Sequence, residues 1–324
     1  MKRINPIKFL ALALCCLLVA GSAAGCGKQK NEKKELNIAI QYGVAYAPLE
    51  VMKQNGILEK YLDGVTVNWI QVNGPTEISD GILSGDIDIG FMGPAPALVG
   101  IDNNAGWKIF TGLSANEVAI VTDRDDIRSL ADFTQADRIA VLSPTCTQAV
   151  LLSLASEQAF GDSHYFDNRI VCMSHPDAMN ALISDTEVAA HIATPPYIQQ
   201  ELDNGGHILL TGEDILGMPF TFIVGVATES LYKEHQDQYL AFIQALQEAI
   251  DLINADPQAA AETLAPTYNI GADDLLAQMT YGGKSIYSTQ LEGIEAFAAA
   301  MRETGYIKKV PSESDMIFPK HAGE

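Results

Sequence analysis

Three side chains that can hydrogen-bond or stack follow the first predicted strand, residues 36–40. They are Gln41, Tyr42 and Tyr46. A glutamine amide both donates and accepts hydrogen bonds, and a tyrosine offers an aromatic face together with a hydroxyl group. In open parallel sheets, ligands bind beyond the carboxyl ends of the strands. This position therefore predicts contact with a small-molecule ligand, and the alternative is a structural turn packed on the core.

The next two predicted strands, 65–70 and 87–91, also run into turns with candidate ligand-binding residues. These candidates are Asn73, Gly74, Gly93, Pro94 and Ala95. Gly74 would permit close approach of a ligand to the backbone, or it simply forms a turn. Residues 93–95 open a predicted helix, whose free N–H groups favour anions or ligand carbonyls. Turn formation by glycine and proline is the alternative explanation.

A second series of candidates follows the predicted strands 138–142 and 188–193. The candidates at the first of these strand ends are Ser143, Thr145, Cys146 and Thr147. Serine and threonine at a helix start can face a ligand, although pure helix capping would give the same pattern. His191 and Thr194 lie at the corresponding end of the second strand. A lone histidine in an apolar strand is more often structural, so His191 has both readings.

Basic side chains are scarce near these turns. The arginines of this region fall at strand starts or in loops: Arg124, Arg128, Arg138 and Arg169. An anion would therefore have to be held by helix N-termini and neutral donors alone. This distribution favours a neutral or weakly charged ligand over a multiply charged one.

The sequence carries no motif of a catalytic or cofactor site. We find no G-x-S-x-G elbow, no phosphate-binding loop and no Cys/His spacing of a zinc site. The prediction is a binding protein that is not an enzyme and needs no cofactor or metal. Cys146 and Cys172 are predicted to be free thiols, and a disulfide between them is the alternative.

Strands and helices alternate in two successive runs, and the last third of the chain is helical. This pattern predicts an α/β protein with two lobes, each a mainly parallel sheet flanked by helices. The stretches 112–122 and 218–226 read as crossings between the lobes. The first lobe would then be discontinuous, residues 36–117 and 223–324, with 118–222 as the second. Strand ends facing a shared cleft would let the lobes close over a ligand.

The chain has 324 residues, 48% of them hydrophobic, and a formal net charge of −21. Such an acidic surface would repel nucleic acid, because phosphate binding needs clustered lysine and arginine. Residues 1–25 have the basic start, short apolar run and small-residue end of a secretory signal. Removing them leaves a formal charge of −24, since they hold three basic residues and no acidic one.

The signal segment ends in Ala-Ala-Gly before Cys26, a sequence that resembles the bacterial lipobox. The resemblance implies a diacylated Cys26, which would anchor the protein to the membrane from the extracytoplasmic face, because two acyl chains bind stably. The alternative is an ordinary signal cut near Ala24. Residues 26–35 are polar and charged, and we interpret them as a flexible tether.

Several motifs together resemble the solute-binding proteins for nitrate, sulfonates and taurine. The motifs are QYG at 41–43, AP at 47–48, ILSGDIDIG at 82–90, GPAP at 93–96, IAV at 139–141, SPT at 143–145, AMNAL at 178–182 and VAAHIATPPY at 188–197. Their order and spacing match that family over residues 36–267.

This resemblance implies a type II periplasmic-binding-protein fold and a function in an ABC importer. The protein would bind a small solute and deliver it to the membrane permease, acting as a monomer. The same fold is similar to that of thiamine-pyrimidine biosynthetic proteins, which keeps a pyrimidine precursor open as ligand. A ligand sensor for a membrane receptor is the third alternative.

Overall fold

The computed structural model describes residues 34–184, 186 and 188–319. The predicted signal segment, Cys26 and the tether up to residue 33 lie outside the described residues. The described residues from Lys34 onwards belong to one compact unit. Within the described ranges, no helix is both long and apolar enough to cross a membrane.

The strands of the described chain form two sheets. They are β1 (Glu35–Ile40), β2 (Thr66–Gln71), β3 (Ile89–Met92), β4 (Trp107–Ala115), β5 (Ala119–Thr122), β6 (Ile139–Val141), β7 (Ile170–Cys172), β8 (Ala190–Ala193), β9 (His207–Thr211), β10 (Ile223–Thr228) and β11 (Ile286–Tyr287). The first sheet has the order β11-β4-β10-β3-β1-β2 and the second β7-β6-β8-β5-β9. The predicted α/β class is confirmed. The lobe boundaries at 117/118 and 222/223 stay a prediction.

Both sheets are mixed, whereas the sequence predicted mainly parallel ones. In the first sheet β1 runs parallel to β2 and β3, but β10 is antiparallel to β3 and β4, and β11 is antiparallel to β4. In the second sheet β6 runs parallel to β7 and β8, whereas β5 is antiparallel to β8 and β9. The parallel pairs belong to strands joined by helical crossovers. The strands next to the crossings between the sheets, β4, β5 and β10, supply the antiparallel pairs.

The helices follow the strands closely along the chain. They are α1 (Ala47–Gln54), α2 (Pro75–Ser84), α3 (Pro94–Asp102), α4 (Thr147–Phe160), α5 (His175–Ile183), α6 (Tyr197–Asp203), α7 (Gly212–Leu216), α8 (Glu229–Glu234), α9 (Gln236–Ala255), α10 (Pro257–Tyr268), α11 (Ala272–Thr280), α12 (Ile294–Glu303) and α13 (Glu313–Met316). Proline in the first turn opens α1, α2, α3, α5 and α10, where its missing N–H has no helical partner anyway. In α1, α2, α3 and α5 these prolines mark the end of the turn that leads from the preceding strand into the helix.

The core divides between the two faces of the second sheet. Along β5, Ile120 packs into the main hydrophobic cluster, while Ala119 and Val121 face a smaller cluster. Residues of α5 and α6, Ala178 and Ile198 among them, cover that smaller cluster. Because side chains alternate along a strand, each sheet residue is assigned to one face or the other. The face beneath α5 and α6 becomes important for the site.

Candidate functional site

A pocket lies where the carboxyl ends of strands from both sheets meet. Six strands each contribute a lining residue within two positions of their carboxyl ends. These residues include Gln41, Asn73 and Gly93 from the first sheet and Leu142, Ser174 and Thr194 from the second. Its free volume is about 40 Å³. A water molecule needs about 10–15 Å³ measured in this way, so the pocket is narrow and would hold only a few of them.

Gln41 and Tyr46 form the buried part of the first-sheet wall. Gln41 is 7% exposed, and its Nε2 donates to the Phe91 carbonyl at 3.0 Å, which leaves Oε1 free to accept. Tyr46 is 6% exposed, and burial raises the pKa of its hydroxyl far above the ordinary value. Both side chains are therefore neutral hydrogen-bonding groups.

The turn that carries these side chains is held from the C-terminal third of the chain. Gly43 has a φ of 120°, a conformation that residues with a Cβ atom rarely adopt. Its carbonyl accepts a hydrogen bond from the Tyr268 hydroxyl at 3.1 Å, and the Val44 carbonyl accepts one from Tyr287 at 2.8 Å. Burial raises the pKa of both tyrosines, so they remain neutral donors.

Two tyrosines from opposite sheets flank the pocket. Tyr42 follows β1 and is 58% exposed, and Tyr197 begins α6 beyond β8. Both also line an adjoining depression of about 290 Å³. Burial, together with the neighbouring Tyr42, raises the pKa of Tyr197. The Tyr197 ring stacks on His175 with a centroid distance of 5.2 Å and an interplanar angle of 19°.

The helix starts of the two sheets contact each other beside the pocket. The backbone N–H of Ala95 in α3 donates to Oγ1 of Thr147 in α4, at 3.3 Å. Thr147 is 1% exposed, and Gly93 lies directly against it. A Cβ atom at position 93 would lie 2.2 Å from Thr147 Oγ1, far inside van der Waals contact. Glycine at 93 is therefore required by close packing between the helix starts.

Replacing Gly93 by alanine should destabilise this contact. We expect Gly93→Ala to lower the free energy of unfolding by about 1–3 kcal/mol, the usual cost of overpacking. Urea denaturation measures the loss. Gly74→Ala is the matched control, because no atom lies within 4 Å of a Cβ there and its φ of −170° suits any residue. Adding Thr147→Ala to Gly93→Ala should recover part of the loss, and equal effects of the two glycine changes would contradict this packing argument.

Eight of the predicted ligand-binding residues line the pocket. They are Gln41, Tyr42, Tyr46, Asn73, Gly93, Cys146, Thr147 and Thr194. They come from five separate segments of the sequence, each of which follows the carboxyl end of a strand. Contact of these residues with a ligand stays a prediction.

The structure places the other six predicted residues outside the pocket lining. They are Gly74, Pro94, Ala95, Ser143, Thr145 and His191. Ala95 is fully buried in the main core cluster, and Thr145 is exposed. The Ser143 carbonyl accepts the Cys146 N–H at 3.2 Å in the turn that opens α4. Gly74 stands between two lining residues, Asn73 and Pro75.

His191 does not line the pocket, but it contacts His175, which does. It is 1% exposed and pairs across the second sheet with Ala140 and Val121, on the face covered by α5 and α6. Its Nδ1 is 2.5 Å from Glu201 Oε1, and its Nε2 is 2.8 Å from His175 Nδ1. His175 in turn lines the pocket. The structural reading of His191 and an indirect role at the site are thus compatible.

Several lining residues were not predicted from the sequence. They are Gln148, Ser174, His175, Tyr197 and Phe222. The strand-end rule applied to β7 would have indicated Ser174 and His175, which follow that strand directly before a helix-opening proline. Ser174 accepts the Asp177 N–H as the cap of α5. Phe222 belongs to the second crossing, where the sequence offers no periodic signal.

The lining is neutral throughout. Among the described residues that line the pocket, none is lysine, arginine, aspartate or glutamate. The arginines near the second sheet are engaged elsewhere: Arg124 pairs with Asp126 and Asp137, each at 2.5 Å. The side chains are therefore suited to hydrogen bonding and aromatic stacking rather than to ion pairing. In the described parts of the chain, no group of three or more His, Cys, Asp or Glu side chains is arranged to hold a metal ion.

Comparison with known proteins places the chain in a family. Residues 29–267 match the NMT1-like family, which is most of the chain. The chain belongs to the NMT1-like family. A protein of Brachyspira hyodysenteriae named as an ABC transporter periplasmic binding protein is 24% identical over 279 residues, covering 82% of this chain and 79% of that one.

Solved structures share the fold of this NMT1-like chain. The alkanesulfonate-binding protein SsuA from Xanthomonas axonopodis, bound to MOPS, superposes with a TM-score of 0.73 at 18% identity, covering 89% of this chain and 99% of that one. The nitrate-binding protein NrtA from Synechocystis gives 0.70 at 13% identity, with 88% and 84% covered. The predicted resemblance to this group is confirmed, and so is the periplasmic-binding-protein fold.

Proposed function

We propose that this NMT1-like protein is the extracytoplasmic solute-binding component of an ABC importer. The proposed role is to capture a small neutral or weakly charged solute in the central pocket and deliver it to a membrane permease. The observation that carries the proposal is the convergence of six strand ends, three from each sheet, on one pocket. Ligands of open α/β sheets bind at such strand ends.

The pocket supports a protein that binds its solute without converting it chemically. Its thiol, Cys146, is 2% exposed, and burial raises the pKa of that thiol. A nucleophilic cysteine needs the opposite shift, because the thiolate is the reactive form. The relatives described above are named as binding proteins, which agrees with this reading.

Lobe closure is part of the proposal. The chain passes between the sheets twice, at residues 116–118 and 212–222. Two such crossings are the hinge arrangement that lets two bodies close around a ligand. The hydrogen bond from Ala95 to Thr147 joins the facing helix starts and would form on closure. Hinge motion would thus open and shut the pocket without unfolding either sheet.

The site of action follows from the N-terminal sequence. A lipid on Cys26 would hold the monomeric protein at the extracytoplasmic face of the membrane, beside its permease. Residues 26–35 would serve as a tether. Two acyl chains are sufficient for stable anchoring. The acidic composition supports a carrier whose folded part stays in solution at the end of the tether, since high net charge favours solubility.

A flat ring compound is a second candidate for the solute, next to sulfonate- or nitrate-type anions. The observation in its favour is the aromatic lining, which includes Tyr42, Tyr46 and Tyr197. Offset stacking on such rings adds to binding beyond area burial. A pyrimidine precursor of thiamine is one such ring compound. If the solute is a signal instead of a nutrient, the protein would serve as the ligand sensor of a membrane receptor.

The capture function predicts that the right solute stabilises the fold. A ligand present at a hundredfold excess over its dissociation constant should raise the free energy of unfolding by about 2.7 kcal/mol. A thermal-shift screen of nitrate, sulfonates, pyrimidines and amines measures this, followed by calorimetry on each hit. Incubating the hits with the protein tests for turnover. Stabilisation by no compound of any class would contradict the capture function, and conversion of a hit would favour an enzyme.

A further inference from the structure

A continuous chain of hydrogen bonds leads from the interior of the second sheet to the pocket. Glu201 Oε1 is 2.5 Å from His191 Nδ1, and His191 Nε2 is 2.8 Å from His175 Nδ1. His175 Nε2 is 3.3 Å from the amide nitrogen of Gln148. Glu201 and His191 are each 1% exposed, whereas His175 and Gln148 line the pocket. We call these four residues the buried relay.

The amide orientation of Gln148, with its nitrogen towards His175, assigns the donor and acceptor roles along the buried relay. An amide nitrogen only donates, so Gln148 donates to His175 Nε2. A neutral imidazole carries one N–H, and that of His175 must then be on Nδ1, from which it donates to His191 Nε2. By the same rule His191 carries its proton on Nδ1 and donates to Glu201 Oε1. Every bond of the relay points towards Glu201.

The interior end of the relay is rigid and well supported. His191 is locked between Ala140 and Val121 in the sheet, and α6 brings Glu201 against it. Burial lowers the pKa of both histidines, which keeps the rings neutral and each with a single N–H. Glu201 Oε2 has no hydrogen-bond partner among the described residues, and a proton on Oε2 would leave Oε1 as the acceptor for His191.

We propose that Glu201 and His191 are positioning residues that make the His175–Gln148 wall a hydrogen-bond acceptor, so that the pocket selects solutes with an N–H donor rather than oxyanions. The inference rests on the proposed capture function and specifies its class of solute. His175 Nε2 has its lone pair towards the wall, in a contact with Gln148 that is long at 3.3 Å. A donor from the solute would take the place of the Gln148 amide at that nitrogen.

An oxyanion would meet the opposite environment. It would find no cation, because the lining contains no lysine or arginine within the described residues, and at His175 Nε2 it would face an acceptor. Only neutral donors, such as the tyrosine hydroxyls, would remain to hold it. Lone pairs facing an anion repel it, which gives selectivity by exclusion. The ring of His175, stacked on Tyr197, would at the same time offer a face to a flat solute.

The first test measures the proton positions directly. Long-range proton–nitrogen NMR spectra of the isotope-labelled protein distinguish the two neutral histidine tautomers, and His→Gln variants assign the signals. We expect the proton on Nδ1 for both His175 and His191 at neutral pH. A proton on Nε2 of His175 would reverse the relay and overturn the inference. In Glu201→Leu, which removes the terminal acceptor, both rings should become mixtures of tautomers.

The second test compares small probes in the same sample. Pyrazole carries an N–H donor that N-methylpyrazole lacks, and both are neutral at neutral pH. We expect pyrazole to bind about fivefold more tightly, the effect of one neutral hydrogen bond. The preference should vanish in His175→Phe, which keeps a ring against Tyr197, and persist in the control His164→Phe at an exposed position. Nitrate and ethanesulfonate should bind more weakly than either ring.

The outcomes separate the inference from the function it rests on. If neither the rings nor the anions bind and the screen of nitrate, sulfonates, pyrimidines and amines gives no ligand, the capture function fails, whatever the tautomers are. If the anions bind and pyrazole does not, capture stands and the acceptor wall is wrong. A pyrazole preference that survives His175→Phe also overturns the inference. Mixed tautomers of His175 and His191 in Glu201→Leu, together with loss of the preference for pyrazole in the same variant, would support the positioning role.

Discussion

Replacing His191 by leucine should lower the free energy of unfolding by about 2–4 kcal/mol, because it leaves buried polar groups without partners. His191 bonds to Glu201 at 2.5 Å and to His175 at 2.8 Å. Leucine fits the apolar face beside Val121 but leaves the Glu201 carboxyl, itself 1% exposed, with no donor. Urea denaturation of the wild-type and variant proteins at neutral pH gives the difference.

The matched control for this prediction is His164→Leu. The His164 side chain is 67% exposed and its pair with Asp167 lies on the surface, so the change should stay within about 0.5 kcal/mol. Adding Glu201→Leu to His191→Leu should recover much of the loss, since a matched apolar pair replaces the unpaired carboxyl. Equal losses from the two single histidine variants would mean that the buried pair does not stabilise the fold.

Much of the candidate site could be predicted because strand ends are readable from sequence. Gln41, Gly93 and Thr147 each stand where an apolar run stops and a helix signal begins, and a parallel α/β arrangement gathers such positions at one edge. Ala95 and Thr145 follow strand ends but lie outside the pocket lining, because a strand end locates the turn and not the direction of each side chain. Direction depends on the dihedral angles and packing of that turn.

The buried relay could not be predicted from the sequence. His191 looked like an isolated polar residue in an apolar strand, since its partners come from separate helices, Glu201 ten residues later and His175 sixteen residues earlier. Only the way α5 and α6 cover one face of the second sheet brings the three together. The mixed strand directions could not be predicted for a similar reason. Pairing partners of β5 and β10 are set by tertiary packing, which hydrophobic periodicity does not record.

The same relay predicts that the free energy of unfolding has a maximum near pH 6.5. Burial lowers the pKa of His191 from 6.5 to about 3 and that of His175 well below 6.5. Burial, helped by Asp123, raises the pKa of Glu201 from 4.5 to about 8. The unfolded chain thus binds more protons at the histidines below pH 6.5, and the folded chain binds more at Glu201 between pH 4.5 and 8.

The signs of these shifts determine both limbs of the profile. Stability rises with pH wherever the unfolded state holds more protons, and falls where the folded state does. Below pH 6.5 the extra protons that the unfolded chain binds at two histidines outnumber the one that the folded chain holds at Glu201, so stability rises with pH. Above pH 6.5 the histidines are neutral in both states. The proton on Glu201 then makes stability fall until about pH 8. Each unbalanced proton contributes a slope of about 1.4 kcal/mol per pH unit.

Among the described residues, the other groups with shifted pKa values titrate outside this window. The shifted aspartates, Asp126, Asp132, Asp137, Asp214 and Asp315, have lowered pKa values that start from 3.8, and the shifted tyrosines have raised ones that start from 10. Urea denaturation at a series of pH values from 4 to 9 records the profile. Glu201→Gln keeps the shape of the side chain and cannot ionise, so it should flatten the fall above pH 6.5 while leaving the acid limb in place. A fall of equal slope in Glu201→Gln would assign the alkaline limb to charges elsewhere on this acidic protein, and it would contradict a neutral Glu201 at the end of the relay.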